Sequence, residues 1–436
     1  MPTTTETPPS HSKTAWVVIL TAAAFFFYEF IQMNLFNTIN VELRETFQLD
    51  AIELGQLFSM YFYANAILLF PAGVLLDRFS TKKLLLAATG ICTIGAFLFA
   101  LAPNFWIAAA GRFLIGCGAA FCFLSALRLA SRWFPPQRMA FVTGVIVTMA
   151  MLGGLVAQTP FVWLIDYTGH WRYALLINAA LGIFIMAAIF LLVQDRPPGA
   201  LEKQHALADQ QQLQTLGLWP SIKLATFNPQ NWLGGIYTAL MNLPVFILGG
   251  LWGILYLTEM HHITTAQAAY ATTCFFLGVI GGSLLFGWIS DWIERRVLPM
   301  IVGAILSLFI MGLLLYVPGW SLWSLITLFF LVGLISGAQV LTYPTLAELN
   351  PPYLTGTAVS IDSTCIMVSG FTFPPLFGWL MEQSSAHEVI NDITLYTAAD
   401  FQLATLLLPI AFIFSIIIAF FIRETYCKAI LFPPTK

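Results

Sequence analysis

The sequence predicts an all-α polytopic membrane protein with twelve transmembrane helices in two pseudo-symmetric six-helix bundles. Composition is the first reason: of 436 residues 59% are hydrophobic and only 9% charged, with a mean hydropathy of +0.83. Soluble domains carry about 25% charged residues. The second is a series of apolar runs, each near the 20 helical residues that cross a hydrocarbon core of about 30 Å. The third is a repeat. GVLLDRFSTKK at 73–83 and GWISDWIERR at 287–296 each follow an apolar run, and their aspartates, Asp77 and Asp291, stand 214 residues apart.

The runs, numbered here as helices 1 to 12, cover 15–40, 53–76, 83–101, 105–131, 139–163, 172–193, 232–257, 266–289, 297–317, 321–346, 355–380 and 401–422. The first exceeds the 7–15 residues of a signal-peptide core and has no cleavage site after it, so it reads as a retained helix. Most connections are short. Residues 194–231 are the exception, mixing charge, Gln, Pro and Gly. They read as a linker between a first bundle at 1–193 and a second at 232–436, with an interfacial helix near 219–227. FPPQRMAFVTG at 134–144 is echoed by NPPYLTGTAVS at 350–360, and Gly116 by Gly333. Parallel six-helix repeats place a substrate site between the halves near the membrane midplane.

Charge sets the expected orientation. With both termini cytoplasmic, 15 of the 18 Lys and Arg lie on the inner side or in helix ends next to it, the exceptions being Arg44, Arg112 and Arg172. This satisfies the positive-inside rule. No basic run suits nucleic acid. The six cysteines show neither CxxC spacing nor a paired framework. There is no P-loop or catalytic triad, so no enzyme activity and no cofactor are expected, and energy comes from an ion or substrate gradient, the proton gradient first. His261 and His262 beside Glu259 lack a third ligand at fixed spacing, so no metal site is expected. A monomer suffices for this architecture.

Ionisable groups inside a bilayer are costly and therefore candidates for function. Glu29 lies about 14 residues, or roughly 21 Å, into helix 1, with no basic residue near it in sequence. Phe25, Glu29, Gln32 and Phe36 share one helical face, which puts a carboxylate and an amide together toward the central cavity. Glu29 is the expected proton-coupling or substrate-amine site. Asp362 is the one acid well inside a span of the second half, and a proton or substrate role is expected there. Tyr28, Tyr61, Asn65, Gln158, Tyr237, Asn242, Gln339 and Tyr343 are polar candidates for the pathway, although polar groups also bridge helices. Gly144, Gly153, Gly154, Gly278, Gly281 and Gly282 are expected to permit close helix approach, and Pro160, Pro244 and Pro374 to kink their helices. Asp77 with Arg78, Lys82 and Lys83 forms a charged cluster able to latch the halves together. Asp291 with Arg295 and Arg296 is its weaker counterpart, and Glu348 reads as a gate or loop residue.

These residues resemble the major facilitator superfamily. The 73–83 stretch is similar to its loop between helices 2 and 3, including Gly73, with Ser80 where a second Gly is usual. Gly287, Asp291, Arg295 and Arg296 keep part of the pattern in the second half, and RFLIGCGAA at 112–120, with Arg112 and Gly116, is similar to the helix-4 pattern; there Arg112 is expected to partner Glu29 or another acid, or to hold helix 4 against a backbone carbonyl. FFFYEF (25–30), FCFLSALRLASRWFP (121–135), NPQNW (228–232) and LWG (251–253) narrow the resemblance to the phagosomal transporter (Pht) family of intracellular bacteria. That resemblance implies uptake of amino acids or nucleosides across a bacterial inner membrane. It also makes Arg128 a candidate for gripping a carboxylate or phosphate, since guanidinium binds such groups bidentately; snorkelling to the interface is the other reading. Proton-coupled import of an amino acid, then of a nucleoside or small peptide, is the leading expectation. Proton antiport exporting drugs or siderophores is the alternative.

Overall fold

The structure is a computed structural model, describing residues 12–134, 138–196, 218–351, 355–383, 388–390 and 393–428. Most of the expected linker, and the side chains of Asp77 and Arg78, lie outside the described residues. Ten helices are each long and apolar enough to cross a membrane, and helix 5 forms a bent pair that passes the same test. Helix 2 (Ala51–Arg78), 28 residues long, completes twelve.

Cap residues start several of these helices. Asp50 and Glu53 form a reciprocal capping box at the start of helix 2, and Thr264 with Gln267 does the same for helix 8 (Thr265–Trp292). Ser80 and Asn104 accept from backbone N–H groups at the starts of helix 3 (Thr81–Ala100) and helix 4 (Phe105–Ala119, continuing as Cys122–Trp133). Each cap satisfies donors that an apolar environment would leave orphaned.

Among the described residues six spans are interrupted, helix 4 at Ala120–Phe121 being one. Helix 1 (Ser12–Asn34) tightens into a 3₁₀ turn, Leu35–Asn37, and ends there instead of at 40; a separate short helix, Asn40–Phe47, follows. Helix 5 (Met139–Val156, then Thr159–Thr168) bends by 43° just before Pro160. Helix 7 runs from Pro229 to Met241, loosens after Pro244 into a seven-residue π-helical stretch, Val245–Leu251, and resumes over Gly253–His261. Helix 10 (Leu322–Ser336, Thr342–Leu349) contains a 3₁₀ segment, Gly337–Leu341. Helix 12 is Ala398–Thr405 followed by Leu407–Phe421. Helices 6 (Trp171–Leu192), 9 (Val297–Tyr316) and 11 (Thr355–Glu382) are continuous, the last despite Pro374 and Pro375. A small antiparallel hairpin, Glu388–Ile390 with Ile393–Leu395, precedes helix 12, and Leu218–Phe227 is helical as expected.

The repeat is visible in packing. A Cβ on Gly116 of helix 4 would meet Tyr61 O of helix 2 at 2.1 Å, and one on Gly333 of helix 10 would meet Phe275 O of helix 8 at 2.0 Å. The same backbone contact occurs once in each half, and only glycine permits it. Gly153, Gly278 and Gly282 make equally close approaches and Gly154 packs on the Phe276 ring, whereas Gly281 is in ordinary contact with Leu334 and Gly144 faces open space. Gly144 is therefore not a packing glycine.

The halves meet where helix 2 packs on helix 11, helix 5 on helix 8 and helix 1 on helix 7. One end of the bundle holds Asn37, Asp50, Gln158 and Glu382 and is called the closed end below; the other holds Lys82, Lys83, Arg132 and Arg296 and is called the basic end.

Candidate functional site

Glu29 is fully buried, and the Tyr61 hydroxyl donates to its carboxylate. Arg112, also fully buried, is the cation of the cluster; its charge acts on Glu29 without forming a direct ion pair. Its Nη1 donates to Gln32 O at 2.7 Å and its Nη2 to Phe58 O at 3.5 Å. The guanidinium lies over Phe36 at 4.4 Å and near the Tyr61 and Phe58 rings at 5.3 and 5.9 Å. A buried cation is tolerated when hydrogen bonds and aromatic faces replace water. Arg112 thus ties helix 4 to main-chain carbonyls of helices 1 and 2, with Glu29 as its nearby opposite charge.

The face carrying Phe25, Glu29, Gln32 and Phe36 is turned into the first half, with Phe36 stacked on Phe99 of helix 3 and edge-on to Phe58 of helix 2. It is turned from the space between halves, because Glu29 finds its opposite charge in helix 4 and Arg112 bonds the Gln32 main-chain oxygen. Gln32 is buried there, its amide nitrogen without a hydrogen-bond partner. Tyr28 is one residue from Glu29, hence about 100° round the helix. It points to Thr93 and Gly182 of helices 3 and 6, away from the other half. Tyr237 does the same in the second half, donating to Met300 O of helix 9 at 2.8 Å. Both tyrosines are bundle residues in this structure, not pathway residues.

Asp362 is fully buried among helices 7, 10 and 11, and neither carboxylate oxygen has a hydrogen-bond partner. The Thr238 and Thr342 hydroxyls stand beside it and Tyr343 is nearby. Tyr343 and Gln339 are half-buried on helix 10, while Asn65 and Asn242 are buried. Arg128 is half-buried on the second segment of helix 4.

Gln158 belongs to a different structure, a seal at the closed end. Asn37 Nδ2 donates to Gln158 Oε1 at 2.9 Å and to Leu248 O at 3.1 Å, and its Oδ1 accepts from Ile254 N at 2.9 Å. Gln158 Nε2 donates to Gly249 O at 3.0 Å and Asn40 Nδ2 to Leu251 O at 2.7 Å. The main-chain acceptors, Leu248, Gly249 and Leu251, are carbonyls of the π stretch, where displaced helical bonding leaves oxygens available. A Cβ at residue 253 would lie 1.9 Å from Leu248 O, which explains the glycine of LWG. Thr159 meets Thr273 at 2.8 Å, Ser59 donates to Phe371 O at 3.1 Å and Ala51 N to the Tyr396 hydroxyl at 2.6 Å. Arg44 lies 4.3 Å over the Tyr396 ring, whose hydroxyl also donates to Glu382. None of the seal except Gln158 stands out as a site from sequence. The available signals were the amides Asn34, Asn37 and Asn40 ending an apolar run and Pro244 followed by Gly249-Gly250.

At the basic end, charges close within each half. Asp195 accepts from Lys82 N at 2.8 Å and from Ser80, and lies 3.9 Å from Arg132. Lys82 is near the Phe190 ring and Lys83 is exposed; a methyl group on Gly73 would meet nothing within 4 Å. In the second half Arg296 meets Asp291 at 2.6 Å and Glu348 at 2.9 Å, while Arg295 lies over Tyr426. Asp291 and Arg296 thus brace one half internally. Arg296→Ala is expected to cost about 2 kcal/mol, because it strands the half-buried Glu348; a lower unfolding midpoint in detergent measures it.

The Major Facilitator Superfamily model matches residues 21–243 and 235–430. Over 406 residues the chain is 24% identical to the probable sulfoacetate transporter SauU of Cupriavidus necator, covering 86% of this chain and 90% of that one. It is 24% identical over 370 residues to the D-galactonate transporter of Escherichia coli, covering 79% and 84%. It is 25% identical over 323 residues to the lysosomal dipeptide transporter MFSD1 of Danio rerio, covering 71% and 68%. Among solved structures, a bacterial homologue of the human lysosomal transporter Spinster, inward-facing and unoccupied, superposes with a TM-score of 0.71 at 16% identity, covering 95% and 96%. With both halves matched, the chain belongs to the Major Facilitator Superfamily of membrane transporters.

Proposed function

We propose that the chain is a proton-coupled secondary transporter that imports a small carboxylate-bearing nutrient by alternating access. The observation that carries this reading is Glu29: a fully buried carboxylate held by the Tyr61 hydroxyl, with the charge of Arg112 nearby. Protonation removes the anion that balances Arg112, whose bonds join helices 1, 2 and 4. A proton taken up there changes the packing of the first half, which is how coupling reaches the pathway without Glu29 touching substrate. Asp362 is the acid of the second half, and Arg128 is the half-buried cation suited to a substrate carboxylate.

The substrate class is supported by the relatives, whose named solutes (sulfoacetate, D-galactonate, a dipeptide) all carry a carboxylate. An amino acid, favoured by the Pht resemblance, falls in that class; nucleosides rank behind it. By the positive-inside rule the basic end faces the cytoplasm of a bacterial inner membrane, which makes a sealed opposite end the inward-facing state. The test is uptake of labelled amino acids, dipeptides and sugar acids into proteoliposomes. Accumulation driven by an outside-acid gradient is the expected result. Gradient-driven efflux without such uptake overturns import in favour of the antiport of drugs or siderophores.

A further inference from the structure

We propose that Asp362, Thr238 and Thr342 form a binding site for a monovalent cation of sodium-ion chemistry, between helices 7, 10 and 11. The site goes beyond proton coupling at Glu29 and stands on its own geometry; only its use in transport rests on the function proposed above. Asp362 is 0% exposed, and both of its oxygens lack a hydrogen-bond partner. An ionised carboxylate in that condition is expensive and must be neutralised. Glu29 has Arg112 for this, but no basic side chain acts on Asp362 among its described neighbours.

The nearest polar neighbours are hydroxyl oxygens, close enough to bear on the charge of Asp362 but outside hydrogen-bonding geometry with its carboxylate. Thr238 and Thr342 flank the carboxylate and lie 2.6 Å from each other. Thr238 donates to Gly234 O at 3.1 Å and Thr342 to Gln339 O at 2.7 Å. With their protons directed to main-chain carbonyls or to each other, the hydroxyls bring acceptors to an acceptor. Such a cluster is repulsive when empty and attractive around a cation. Tyr343 and Cys365 are the other ionisable groups nearby, and both are neutral at ordinary pH.

The charge and the backbone agree with a monovalent ion. One carboxylate neutralises one positive charge; a divalent ion would leave a net charge buried. The donors are hard oxygens, which suit ions that prefer oxygen over nitrogen or sulfur. Helix 10 is broken by the 3₁₀ segment Gly337–Leu341 just before Thr342, and interrupted membrane helices supply the carbonyls and ends that coordinate coupling ions. Gly235 keeps helix 7 against helix 11, since a Cβ there would come within 3.3 Å of Asp362 Cα and 2.8 Å of Cys365 Sγ.

The test uses the full-length protein in detergent, without substrate, so its outcome is independent of the transport assay. Labelled Na⁺ at pH 8 is expected to show one saturable site, and Na⁺ in place of choline to raise the unfolding midpoint as a ligand of the folded state does. Asp362→Asn should lose both effects. Thr238→Val with Thr342→Val should weaken binding at least tenfold, while Thr238→Ser, which keeps the oxygen, should retain it. Absence of saturable Na⁺ binding in the wild type overturns the proposal, as does undiminished binding in Asp362→Asn. A stability that responds to pH but not to Na⁺ also overturns it, leaving Asp362 as a proton site.

Discussion

Glu29→Gln is expected to abolish accumulation of substrate driven by an outside-acid gradient, while substrate exchange across the membrane continues. A gradient of one pH unit is worth about 1.4 kcal/mol per proton, enough for about tenfold accumulation with one proton per cycle. The amide fills nearly the same volume and still accepts the Tyr61 hydroxyl, so the bundle still folds but stays in the packing of the protonated state. What it lacks is a proton to release, and Arg112 is left with carbonyls and aromatic faces in place of an anion. The accumulation ratio should fall to about one, whereas counterflow, which needs no net proton movement, should stay within about threefold of wild type. Tyr61→Phe should fall between the two, because it removes the hydrogen bond but not the charge. Normal gradient-driven accumulation in Glu29→Gln would place coupling elsewhere, with Asp362 the next acid to test.

The sequence revealed this architecture where apolar length and polar punctuation coincide. The runs placed helix starts at 53, 83, 105 and 266, and the helices begin at Ala51, Thr81, Phe105 and Thr265, each behind a capping residue (Asp50, Ser80, Asn104, Thr264) that the apolar runs did not single out. The breaks in helices 1, 7 and 10 were less legible, because their stability comes from contacts distant in the chain. The π stretch of helix 7 is bonded to Asn37, Asn40 and Gln158, whose partners are main-chain oxygens and so leave no mark in residue identity. Glu29 stood out as a charge in an apolar run. Arg112, 83 residues further on, was legible as a candidate partner or a brace on a backbone carbonyl, and it is that brace; the direction of the helical face was not legible, because it depends on what the other helices offer it. Tyr28 shows the cost of reading polarity without phase, since a side chain one position from Glu29 points to a different neighbour. The latch expected at Asp77 falls on side chains outside the described residues; among the described residues, the amide hydrogen bonds that join the halves lie at the closed end.

Asn37→Leu is expected to shift the conformational equilibrium toward the state open at the sealed end by roughly a hundredfold. Asn37 makes three hydrogen bonds there, two of them to main-chain groups of the opposite half. Each buried bond contributes about 1 kcal/mol net, and more where its loss leaves a partner unpaired. Leucine keeps the bulk but strands Leu248 O, Ile254 N and Gln158 Oε1 in the closed seal. In the open state those groups meet water, so the penalty falls on one state only, which is the condition for a population shift. About 3 kcal/mol then corresponds to a factor of roughly a hundred. Asn40→Ala, which removes one such bond to Leu251 O, should shift the equilibrium about fivefold in the same direction. Spin labels at Tyr167 and Ala266, both exposed and on opposite halves, read this directly, because opening the seal separates helix 5 from helix 8. The longer distance should grow from wild type through Asn40→Ala to Asn37→Leu. A distribution unchanged in both variants would mean that the amide bonds follow closure and do not hold it, and that the contacts of Arg44, Tyr396 and Glu382 do.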